Sequence, residues 1–178
     1  GLSISESDFL TMWKAFNYGY ILIYPKEKKE VVEAVLAREY DENVAYQNVL
    51  KRAEAELKQN PDDIFAQFNI AVAEYYLGNY EEAVAAFEKA EPGLPPRMLW
   101  YQYEPILAYQ KVKNYDRVFQ LTDVIFNSGN VVFSELYQIR GEVYMSLGDK
   151  EAARAAFEKA AYYNHNFLAA KKALENIN

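Results

Sequence analysis

Residues 81–90 (EEAVAAFEKA) return 70 positions later as residues 151–160 (EAARAAFEKA), identical at eight of ten places. A more eroded copy lies halfway, around 115–125. A chain that repeats itself every 35 residues is built from stacked supersecondary units, each burying one face on the next, and not around one central core. The repeat is anchored on three short turns: Leu77-Gly78-Asn79-Tyr80, Val112-Lys113-Asn114-Tyr115 and Leu147-Gly148-Asp149-Lys150. Glycine followed by Asn or Asp supplies a left-handed helix end and then an N-cap, as a tight helix–helix turn requires. Lys113 lacks that freedom, so the middle turn is predicted to be the strained one.

The turns fix the helix pairs. The spacing predicts helices over 62–77 with 80–90, 96–112 with 115–126, and 132–147 with 150–162. Small residues stand where paired helices must approach: Ala71, Ala83 and Ala90 in the first copy, Gly141, Ala153 and Ala160 in the third. The middle copy has Ile106, Val118 and Ile125 there, and Pro105 lies inside its first helix. A kink or a wider helix separation is expected at that point. Residues 166–178 read as a capping helix, and 42–59 as an amphipathic half-repeat covering the first pair.

Small–small–aromatic–small about a Gly-Asn/Asp turn, with Phe87 and Phe157 as the aromatics, resembles the tetratricopeptide repeat (TPR) family over about 61–166. The resemblance implies an all-α, right-handed array: half-repeat 42–60, repeats 62–94, 96–130 and 132–164, cap 166–178, together a domain of 41–178. In such repeats the first helix of each pair lines a concave groove. The matching positions here are Phe65, Phe68, Val72 and Tyr75, then Trp100, Tyr103, Glu104 and Leu107, then Glu135, Gln138 and Glu142. That groove is expected to be aromatic at one end and acidic at the other, and to bind a protein or peptide partner; large rigid aromatics are good anchors. The Lys, Asn and Arg set with which some of these repeats clamp a C-terminal carboxylate is missing, its places being held by Phe68, Val72, Glu104, Glu135 and Ile139. The alternative for Phe65, Phe68 and Trp100 is burial beneath the chain's own residues 1–60.

Residues 1–40 break the pattern. Phe9, Leu10, Met12, Trp13 and Phe16 form the apolar side of a short helix starting at Ser7-Asp8. Asn17-Tyr18-Gly19 ends it, and Tyr20, Ile21, Leu22, Ile23 and Tyr24 then read as a buried strand, since both faces are apolar. A second helix follows over 26–36. An unpaired strand edge would be a route to a homodimer. This run resembles the end of the papain-like domain in bacterial cysteine peptidases of the bacteriocin-leader-processing type, and 93–105 (GLPPRMLWYQYEP) is similar to a stretch in the repeats that can follow that domain. That resemblance implies an accessory, non-catalytic C-terminal region of a longer peptidase, whose catalytic Cys, His and acidic or amide partner have no counterpart here. An unusual N-terminal cap is the other reading.

Little else points to chemistry. The chain has no cysteine and one histidine, His165, so thiolate sites, disulfides and a plausible zinc site are excluded, and no Ser-His-Asp arrangement is evident. Neither phosphate-cradling glycine motif occurs. The net charge of −7 argues against nucleic acid as partner. No cofactor, metal or catalytic residue is expected, and the chain reads as a scaffold and not an enzyme. No apolar run has the roughly 20 residues that span a bilayer, and the start GLSISESDF resembles no signal peptide. The compartment stays open between cytoplasmic and exported.

Overall fold

All three repeat turns close by the same two hydrogen bonds. The amides of Gly78, Lys113 and Gly148 reach back three residues, and those of Asn79, Asn114 and Asp149 reach back to the carbonyls of Glu74, Tyr109 and Tyr144 at 2.9, 2.9 and 3.0 Å. In this computed structural model, which describes residues 3–177, Gly78 and Gly148 adopt φ of 85° and 81°, and Lys113 is forced to 61°. A side chain in that region costs about 1–2 kcal/mol. The middle turn thus keeps the geometry of its neighbours with a residue that suits it poorly.

The described residues are all helical apart from their connections, with no strand. Contacts divide the chain into two compact units, Gly1–Leu94 and Pro95–Asn178. The extreme ends of the expected appendage and capping helix, residues 1–2 and 178, lie outside the described residues.

The first unit holds α1 (Glu6–Ala15), α2 (Lys29–Leu36), α3 (Glu42–Gln59), α4 (Ile64–Leu77) and α5 (Tyr80–Ala90). Ser5, Asp41 and Asp63 cap α1, α3 and α4 through side-chain oxygens that accept backbone N–H groups the first turn leaves orphaned. The half-repeat is α3, packed on α4, which packs in turn on α5. Ala53, Ala66, Ala71, Ala83 and Ala90 have no exposed surface. Their small side chains let the helices close around Phe68 and Phe87, whose ring centroids are 6.3 Å apart.

The second unit holds α6 (Glu104–Lys111), α7 (Tyr115–Asn127), α8 (Ser134–Leu147), α9 (Lys150–Tyr163) and α10 (Leu168–Asn176). Its α8–α9 pair repeats the packing of α4–α5, and α10 lies on α9 as the cap, burying Ala170 and Ile177. Arg154 donates to the Ile177 carbonyl at 2.6 Å and ties that end down.

Two expectations need correction. The single helix over 96–112 is instead a 3-10 turn, Pro96–Trp100, followed by α6 with Pro105 in its first turn. Proline has no N–H to give and its ring clashes one turn back, so the chain restarts the helix where that N–H is not needed. The strand over 20–24 does not form either. A strand exists only through hydrogen bonds to a neighbour, and among the described residues none pairs with this segment's backbone. Nor is the segment buried: its side chains alternate, Ile21 and Ile23 outward and Tyr20, Leu22 and Tyr24 half-covered.

Candidate interaction surfaces

In the first unit α4, the helix expected to line a groove, already carries the end of α1. Asn69, fully buried on α4, donates through Nδ2 to the backbone carbonyl of Lys14 at the end of α1, 2.9 Å away. Lys14 Nζ lies 2.7 Å from Asp63 and 3.3 Å from Glu56. Arg52 of α3 bonds Asn17 and sits over the Tyr18 ring at 4.8 Å. Burial works against the charge on Lys14, but the hydrogen bond and charge of Asp63, with Glu56, outweigh it and raise its pKa above 10.5. For Asp63 burial works to raise the pKa. The hydrogen bonds from Lys14 and the Ala66 amide, with the lysine charge, outweigh it and hold the carboxyl below 3.8.

Of the first-unit residues proposed for a groove, Phe68 and Val72 present no usable surface: they are 0% and 3% exposed. They share the i, i+3, i+4 stripe of Ala71, which is wholly buried. Phe65 and Tyr75 are half-buried, Tyr75 meeting Tyr76 and Tyr80 at 5.3 and 5.7 Å. Asn69 escaped the sequence reading. Its signal was a lone amide in the otherwise apolar stretch Phe68-Asn69-Ile70-Ala71-Val72.

The second unit brings together most of the residues expected there to line a groove. Tyr103 packs edge-on against Phe133 at 5.3 Å. Its hydroxyl is harder to ionise than an ordinary tyrosine because it is buried and because the negative charges of Glu135 and Glu104 lie near. Glu142 on α8 is gripped on both oxygens: Gln110 of α6 donates to Oε2 at 2.8 Å, and Gln138 donates to Oε1 at 2.9 Å. Leu107 is half-buried. Trp100, on the 3-10 turn, donates to Ser128 at 3.3 Å and carries the Arg97 guanidinium at 5.2 Å from its ring. The result is an aromatic and acidic face on α6 and α8.

A further cleft of 280 Å³ in the same unit was not foreseen: Phe126, Tyr137, Arg140, Tyr144 and Lys159 line it, among small residues of α9. Its cations are engaged. Arg140 pairs with Asp123 at 2.6 Å and lies over Phe119 and Phe126, and Lys159 lies over Tyr137. Among the described residues no group of three or more His, Asp or Glu is placed to hold a metal ion, and no helix is long and apolar enough to cross a membrane.

The tetratricopeptide repeat family model matches residues 66–91 and 134–167. The first match falls on α4 and α5 and the second on α8 and α9, leaving the eroded pair α6–α7 between them. Repeats of this family generally mediate protein–protein interaction. Neither match reaches residues 5–40. No curated protein matches the chain.

Proposed function

We propose that this chain is a protein-interaction module that receives the basic part of a partner segment on the second unit's face formed by α6 and α8. The observation that carries the reading is the gathering of Tyr103, Glu104, Glu135, Gln138 and Glu142 on that face. Carboxylates beside a half-buried aromatic suit a segment carrying lysine or arginine with an apolar neighbour, the charge giving encounter and specificity and the ring giving contact area. The repeat-family match over 134–167, which includes α8 of this face, supports an interaction role over a catalytic one. The first unit contributes less, because α1 lies on its groove helix.

The test is anisotropy of a labelled Lys/Arg-rich peptide against the same peptide with acidic residues. The basic peptide should bind and weaken with salt, and Glu135→Gln with Glu142→Gln should reduce its affinity about tenfold, roughly 1.4 kcal/mol. Equal binding of both peptides, or indifference to the two substitutions, rejects the reading.

A further inference from the structure

Residues 20–24 read the same in both directions: Tyr-Ile-Leu-Ile-Tyr. They are extended, uncharged, and bounded by Gly19 and Pro25. Among the described residues no hydrogen bond reaches their backbone N–H or C=O groups. Exposure alternates along them, 58, 88, 48, 95 and 36%, the two-residue period of a strand with one face laid on its own chain and Ile21 and Ile23 in water. A free edge bearing apolar side chains is a template for pairing with another chain.

We propose that this segment pairs antiparallel with the same segment of a second copy, about a two-fold axis through Leu22. A two-fold interface must be its own complement, each residue i meeting j while j meets i. Any antiparallel self-pairing meets that condition; the palindrome adds that like side chains come together, Tyr20 opposite Tyr24, Ile21 opposite Ile23 and Leu22 opposite itself. Cross-strand pairs of β-branched and aromatic residues are the stabilising unit of such a ribbon. No charge occurs between Lys14 and Lys26, so copies of a protein with net charge −7 meet here without like charges opposed. Ile4, Phe9, Leu10, Met12 and Phe16, on the same N-terminal stretch of chain, are exposed large hydrophobics as well. Pairing through a short ribbon gives a dimer of about micromolar strength or weaker. The pairing is independent of the α6–α8 face, so either can fail alone.

The absence of cysteine makes the test clean. At about 0.5 mM the full chain should sediment at twice its 20.6 kDa, and Ile21→Lys with Ile23→Lys should restore the monomer with unchanged helical circular dichroism. Leu22→Cys should oxidise to a disulfide dimer far faster than Tyr162→Cys, an exposed control on α9, since opposed residues have Cα atoms about 4.5–5.5 Å apart. Ile21→Cys should crosslink poorly alone, and well when mixed with Ile23→Cys. A monomer at that concentration overturns the proposal, as does a dimer that survives the lysines. So does a dimer crosslinked by Ile21→Cys alone but not by Leu22→Cys, or a chain that stays monomeric while pairing with the open sheet edge of some other protein.

Discussion

Gly141 lies against the ring of Phe157 so closely that a Cβ on the glycine would stand 2.3 Å from Cε1 and 2.5 Å from Cδ1. The approach joins α8 to α9 within one repeat. Gly141→Ala should therefore destabilise the second unit by about 1–3 kcal/mol, the cost of overpacking. Combining it with Phe157→Leu should recover part of that loss, because the shorter side chain makes room where the clash occurs. Denaturant midpoints of the four proteins in this cycle measure the coupling, and simple additivity would show that the contact is not the cause.

The middle turn offers the opposite kind of change. Lys113→Gly removes the strain of a left-handed lysine, about 1–2 kcal/mol, and adds back part of it as backbone entropy, about 0.5–1 kcal/mol. A net gain of about 0.5–1 kcal/mol should appear as a higher denaturant midpoint. Gly148→Ala, at the corresponding turn with φ of 81°, should lose stability instead.

The attachment of α1 should respond to acid. Asp63 is held below 3.8 in the folded chain, so its contribution is complete above that value and disappears as pH falls through the lower folded value. The raised Lys14 pKa works at the other limit, its contribution being lost only as pH climbs past 10.5. The indole N–H of Trp13, bonded to the Gly19 carbonyl at 2.8 Å, reports on this segment by NMR. Protection of the α1 amides, taken relative to their intrinsic exchange rate at each pH, should fall below about pH 4. Asp63→Asn keeps a good N-cap for α4 but removes the charge, and should flatten that acid response.

Tyr103 should ionise above the ordinary 10.0, and Glu135→Gln should lower its midpoint without bringing it all the way down, because burial, the larger cause, remains. Carbon-13 NMR of the tyrosine ring carbons, with Tyr103→Phe to assign the signal, follows the titration. An unchanged midpoint would mean that the carboxylate does not act on the ring.

Core and surface divide sharply among the aromatics once expected to share a groove. Phe68→Ala should cost about 3–5 kcal/mol through an internal cavity. Trp100→Ala, at a half-buried position on the 3-10 turn, should cost clearly less. Thermal melts of both variants test the division.

Helix positions followed closely from the repeat because turn chemistry and small residues act locally: α3 and α5 begin and end at the residues the pattern indicated, and α4, α8 and α9 each differ from it at one end only. What depends on distant partners was less legible. Spacing alone could not tell that Phe68 and Val72 turn inward while Phe65 and Tyr75 stay half-exposed, since all four sit on adjoining faces of one helix. Nor could it reveal that Asn69 would hold the end of α1, a contact across 55 residues. The strand over 20–24 failed for a related reason: β propensity describes a residue's fitness for a ladder, and the ladder's other rail must come from elsewhere.

Glu142 has a consequence of a mechanical sort. Its carboxylate is the rivet between the eroded repeat and the regular one, each oxygen fixed by a glutamine from a different helix. A cation drawn to that carboxylate competes with Gln110 for the same lone pairs, so engaging it would loosen α6 from α8. A carboxylate proposed to meet the partner is thus also the joint whose release makes the second unit more pliant.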